Sequence, residues 1–117
     1  MPYVLKHEEI IVGDETLKVY QASNIMGAKR ALLIDRARES TPALEGEDTE
    51  ESYGYYLKVL LYPSLVACTE GNLPTLEEFL TQLPEEESDR WSEAAKRLNP
   101  HWFTFFTKEV PEEKKEK

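Results

Sequence analysis

Between Tyr62 and Phe103 the chain is a close succession of helix starts and stops, and this constrains the fold more than any other feature. Thr75 precedes Leu76, Phe79, Leu80 and Leu83, apolar residues at i, i+3, i+4 and i+7. Thr75 and Glu78 have capping-box spacing: the hydroxyl accepts from the backbone N–H near Glu78, and the carboxylate reaches back. Pro84 stops that helix and opens the next. Trp91, Ala94, Ala95 and Leu98 repeat the stripe, and Asn99-Pro100 closes it.

The N-terminal part reads differently. Tyr3 to Val12 is strand-like, with Ile10, Ile11 and Val12 β-branched, and Gly13-Asp14 suits a two-residue hairpin loop. Thr16 to Tyr20 continues with Leu17 and Val19 on one face and Thr16, Lys18 and Tyr20 on the other. A lone hairpin is marginal in water, so it must pack on helices. Ser23 can cap a helix to about Arg38, with Ile25, Ala28, Ala31 and Leu32 on one side and Met26, Leu33 and Ala37 adjacent. Lys29, Arg30, Arg36 and Arg38 make it the most basic stretch, either a solvated face or a patch that orients an acidic partner.

Ser40 to Glu50, with Pro42, Gly46 and four acids, reads as a mobile linker. Asp48 or Thr49 then caps a long helix with Tyr53, Tyr56, Leu57, Leu60 and Leu61 on its apolar stripe. Pro63 has no N–H for the ladder and is expected to kink this helix, which continues through Leu65 and Val66 to Thr69. Glu70-Gly71-Asn72 reads as a turn. The fold class expected is α+β: an N-terminal β-hairpin followed by about four α-helices, in one domain over residues 1–106. Residues 107–117 are expected to form a disordered charged tail.

Segments of Tyr62 to Trp102 resemble the tail assembly chaperones of tailed bacteriophages and prophages. The resemblance lies in Tyr-Pro-x-Leu-x-Ala-Cys (Tyr62 to Cys68), Pro-Thr-x-x-Glu-Phe-Leu (Pro74 to Leu80), Leu-Pro-Glu (Leu83 to Glu85) and Leu-Asn-Pro-x-Trp (Leu98 to Trp102). Thr16 to Leu33 fits more loosely, as a strand leading into a helix. It implies a non-enzymatic protein of virion morphogenesis in the bacterial host cytoplasm. Such a protein coats the long tape measure protein, keeps it soluble and helps recruit tail tube subunits. It also implies short and frameshift-extended products, this chain being the shorter. Adjacent Lys114 and Lys115 could be encoded by a slippery adenine run.

Charge narrows the partners. With 14 basic against 23 acidic side chains the net charge is −9, which argues against binding a phosphate backbone or an anionic membrane surface. A basic protein partner or DNA mimicry is the sharper alternative to plain solubility. No apolar run approaches the roughly 20 residues of a membrane span. Cys68 is the only cysteine, which excludes an intrachain disulfide and fits a reducing cytoplasm.

The residue inventory offers no catalytic, cofactor or metal set. His7 and His101 are not part of a spaced ligand cluster, and Cys68 sits in apolar sequence where a buried thiol is poorly nucleophilic. Glu85-Glu86-Glu87 has a local reason in the positive end of a helix. Large aromatics on or beside amphipathic helices are the candidate partner-binding anchors: Tyr53, Tyr56, Trp91, Trp102 and Phe103, with core packing as the competing role. Self-association is allowed. The rival reading is a small acidic interaction domain or a DNA-mimic inhibitor of a nucleic-acid-binding protein.

Overall fold

A computed structural model describes residues 3–41 and 53–103. Strands β1 (His7–Val12) and β2 (Glu15–Tyr20) form the antiparallel hairpin, in a register that pairs Val12 with Glu15 and His7 with Tyr20. Gly13 opens its loop with a φ of +64°, a conformation that costs a glycine nothing. Ile10, Val12, Leu17 and Val19 are buried on the inner face. Ile11 and Thr16 lie outward, as a period of two requires. Helix α1 (Asn24–Ser40) follows, with the Ser23 hydroxyl accepting from the Met26 N–H at 3.3 Å.

After residues 42–52 the chain is helical from 53 to 67, but not in one register. Tyr56–Leu61 is π-helical and runs into α2 (Tyr62–Ala67), with the Tyr62 N–H bonded to the Leu57 carbonyl. Pro63 gives the physical reason. It has no N–H, and its ring crowds the carbonyl four residues back, so a wider turn ahead of it lets the helix pass without ending. The expected kink at Pro63 takes this form, and the helix stops at Ala67 rather than Thr69. The expected cap at Asp48 or Thr49, most of the linker and the tail lie outside the described residues.

Thr69–Glu70 forms a short strand, β3, paired antiparallel with Lys18 and Val19, giving the sheet order β1-β2-β3. Glu70, expected in a turn, is instead paired with Lys18. Two residues carry no periodicity, and β3 exists because β2 presents an edge to pair with. Gly71 follows with φ +134°, where an added Cβ would lie 2.9 Å from Leu17 Cδ2 and 3.2 Å from the Thr16 carbonyl oxygen.

Helix α3 (Leu76–Thr81) carries both halves of the capping box. The Glu78 N–H donates to Thr75 Oγ1 at 3.2 Å, and the Thr75 N–H donates to Glu78 Oε1 at 3.0 Å. Helix α4 (Glu85–Leu98) starts from Pro84 with three glutamates in its first turn and ends with Lys96 and Arg97 in its last, matching the helix dipole at both ends. A 3-10 turn, Pro100–Phe103, closes the described chain. The architecture is therefore α+β and mainly helical, a small sheet with helices packed on it.

Trp91 is fully buried, with Phe79 edge-on at 6.1 Å between ring centroids. Its indole Nε1 donates to Thr69 Oγ1 at 2.9 Å, and the Thr69 hydroxyl donates to the Leu65 carbonyl at 2.6 Å. Tyr62 packs on Phe79 at 5.2 Å and donates to the Pro74 carbonyl at 2.6 Å. Asn99 is also fully buried. Its Oδ1 accepts from the Ala22 N–H at 2.7 Å, and its Nδ2 donates to the Tyr20 carbonyl at 2.9 Å. A side-chain amide thus ties the exit of the hairpin to the end of α4.

Two predictions follow from this packing. Asn99→Asp should destabilise the fold by roughly 2–4 kcal/mol, because a carboxylate keeps the Ala22 bond but sets a charged oxygen against the Tyr20 carbonyl. A urea melt reads the loss; a midpoint within error of the parent protein would refute the clamp. Gly71→Ala should cost about 2 kcal/mol through the positive φ and the crowding at Leu17, seen as a lowered thermal midpoint.

A candidate protein-binding surface

The five aromatics anticipated as anchors do not form one surface. Trp91, Trp102 and Phe103 are buried, at 0%, 6% and 1% exposure, and belong to the core. Their burial matches the core role that competes with the anchor role for each of them. Tyr53 and Tyr56 differ: Tyr53 is 61% exposed, Tyr56 is half-buried, and their rings are 5.7 Å apart. They border a groove of about 350 Å³ against α4, which also takes in Asp89, Glu93 and Lys96.

The larger surface feature is α1. Met26, Gly27, Arg30, Leu33, Ile34 and Ala37 face the protein, and α1 packs on α2 and the π-helical turn. Ile25, Ala28, Ala31 and Leu32 face solvent, with Ile25 78% and Leu32 49% exposed. Both sides of this helix carry apolar residues, so periodicity could not select the inward one. The choice fell to the side whose residues meet α2. The outward stripe, which sequence analysis did not single out for binding, is left without a partner among the described residues.

Arg30 leaves the basic patch inferred from sequence. Its Nε donates to Ser64 Oγ at 2.7 Å and its Nη2 to the Trp102 carbonyl at 3.0 Å, with the guanidinium carbon 5.0 Å from the centre of the Trp102 ring. Burial lowers its proton affinity, yet arginine stays cationic at any physiological pH. Ser64 in turn donates to the Leu60 carbonyl at 2.8 Å. Arg30 therefore fixes α1 against α2 and the 3-10 turn. Lys29, Arg36 and Arg38 remain exposed.

The acidic side chains are mostly explained locally. A groove of about 820 Å³ between the hairpin loop, the segment 72–75 and the α3–α4 junction is lined by Asp14, Glu15, Glu78 and Glu87. Three of these already accept hydrogen bonds: Glu87 from the Gly13 N–H, Glu15 from the Asn72 amide and Glu78 from the Thr75 N–H. Glu8 and Arg97 form an ion pair at 2.7 Å that joins β1 to α4. The hydrogen bond from Arg97 holds the Glu8 carboxyl below its usual range.

His7 rests against the Tyr20 ring at 5.6 Å and His101 against Trp102 at 6.1 Å. Among the described residues no group of three or more His, Cys, Asp or Glu is arranged to hold a metal ion. No helix there is long and apolar enough to cross a membrane. No family model, characterised protein or solved structure matches this chain.

Cys68 is fully buried, and burial pushes the pKa of its thiol up to about 11. The thiol should therefore resist alkylation at pH 8 in the folded protein and react at once in denaturant, as mass spectrometry after iodoacetamide would show. The raised folded value also fixes a sign. The contribution of Cys68 to stability is whole below pH 9 and is lost as pH rises from 9 towards 11, because the unfolded chain releases the proton first. Cys68→Ala should remove that part of the alkaline decline.

Proposed function

We propose that this protein is a non-enzymatic assembly chaperone of the phage tail type. It works in the bacterial host cytoplasm, covers an apolar helical stretch of the tape measure protein and helps bring tail tube subunits to it. The observation that carries the binding half of this reading is the outward stripe of α1, an apolar helix face held in water by the packing of the opposite face. Tyr53 and Tyr56 add a second accessible aromatic patch.

A long client with exposed apolar stripes aggregates through them. A small protein that lends a matching stripe covers the client, and a net charge of −9 keeps coated complexes apart. Several shallow contacts suit reversible coating better than one deep site. The assignment to tail assembly rests on the motifs between Tyr62 and Trp102. In this fold Pro63, Leu65, Phe79 and Trp102 of those motifs are buried, so they bear on architecture rather than on client contact.

The rival DNA mimic needs carboxylates ranked along a face as stand-ins for phosphates. Glu15, Glu78 and Glu87 are instead turned to donors within the protein. That favours the chaperone reading.

The test is co-expression with the tape measure protein that this reading requires to be encoded beside the gene. The parent protein should keep that client in the soluble fraction. Ile25→Ser with Leu32→Ser should lower the soluble fraction at least tenfold, since roughly 2–3 kcal/mol of apolar contact is removed. Its own thermal midpoint should barely move, because both side chains are outside the core. A client equally soluble without the protein would end the chaperone reading. A client rescued equally by the double variant would move the contact away from α1.

A further inference from the structure

Taking the outward face of α1 as the client face, the spacing along it says what kind of client fits. Ile25, Ala28, Leu32, Asp35 and Glu39 succeed one another at intervals of three, four, three and four. All five are exposed. That is the a/d seam of a coiled coil, written on the side of α1 opposite the buried Ile34. Ala28, the small residue between the two large ones, lets a second helix approach closely. Lys29 and Arg36 lie along one border of the seam, at two equivalent flanking positions one heptad apart, and are exposed. The seam changes character along its length: apolar towards the N-terminus of α1, acidic at Asp35 and Glu39.

A second copy of α1 fits this seam badly in either direction. In a parallel pair Asp35 and Glu39 would each meet their own copies. In an antiparallel pair centred on Leu32, Glu39 would fall on Ile25 and Asp35 beside Ala28, while Lys29 of one copy would approach Arg36 of the other. Like charges at flanking positions, or a carboxylate pressed on an apolar seam, select against a pairing.

We propose that α1 is one strand of a heterotypic coiled coil, whose other strand is a partner helix with an apolar a/d stripe and an acidic border. The acidic border meets Lys29 and Arg36. A basic residue at the far end of the stripe meets Asp35 and Glu39. The seam has only two sizeable apolar residues, Ile25 and Leu32, so the contact is weak alone and gains strength from repetition along a long client.

Three fluorescein-labelled peptides of three heptads test this with the full chain, by anisotropy at low and high salt. All carry leucine at a and d; one has glutamate borders, one lysine borders, and one has the glutamate composition scrambled. Borders of a single sign keep each seam peptide from pairing with itself. The glutamate-bordered peptide should bind about tenfold more tightly than the lysine-bordered one, the size expected when flanking pairs turn from attraction to repulsion. Salt should shrink that preference. Lys29→Glu with Arg36→Glu should reverse it, and Ile25→Ser with Leu32→Ser should abolish binding of both.

Equal affinity for the two borders, tighter binding of the lysine-bordered peptide, or a scrambled peptide that binds as well would overturn the proposal. So would binding that survives loss of both Ile25 and Leu32. The peptide measurement does not use the tape measure protein. A failure of the border rule would therefore leave the chaperone reading standing, and a failure of client rescue would leave the border rule standing.

Discussion

The hydrogen bond from the Trp91 indole to Thr69 Oγ1, 2.9 Å long and sealed from water, is the contact on which the rest of the structure depends. A tryptophan buried this far needs a partner for its N–H, or it forfeits a hydrogen bond to water. Thr69 supplies that partner only because β3 holds it beside β2, and the Thr69 hydroxyl donates its own hydrogen bond to the Leu65 carbonyl in α2. One side chain thus sets the distance between sheet, α2 and α4. Phe79 can then stack on its edge, and Tyr62 on Phe79. Asn99 closes the far end of α4 by the same logic, one amide meeting one donor and one acceptor of the hairpin exit.

Helix α1 hangs on this frame by a different device. Its packed face contains a cation, Arg30, whose described partners are a hydroxyl, a carbonyl and an aromatic ring rather than a carboxylate. A guanidinium is suited to that position: it is weakly hydrated, forks to two acceptors and stacks on indole. The consequence is a defined rotation of α1. With Arg30 directed at Ser64 and Trp102, Ile25 and Leu32 cannot also turn inward. The exposed apolar stripe is therefore a product of how α1 is fixed, not surplus hydrophobicity scattered over a surface.

The acidic excess has a comparable internal explanation. Glutamates at helix starts meet the positive end of the dipole, and Glu15, Glu78 and Glu87 serve as acceptors for loop and amide donors. The remaining charge keeps most of the described surface polar around the apolar residues Ile25 and Leu32 on the outer face of α1. That contrast sets the outer face of α1 apart from the rest of the described surface.

Local signals in the sequence determined the hairpin and its loop, the Ser23 and Thr75 caps, and the breaks at Pro84 and Asn99. Each depends on residues within a few positions of one another, and glycine, proline and capping side chains act over that range. The stripe of Trp91, Ala94 and Ala95 was also legible, because only one face of α4 is apolar. Tertiary structure alone decided the rest. It buried Trp91, Trp102 and Phe103 in the core, which an aromatic residue's identity does not announce because only its neighbours decide its exposure. It formed β3 from two residues with no periodicity, because β2 offered an edge. It turned Arg30 from a surface charge into a tie. Finally, it chose which apolar side of α1 to bury, because both sides satisfy the helical period and only one could meet α2.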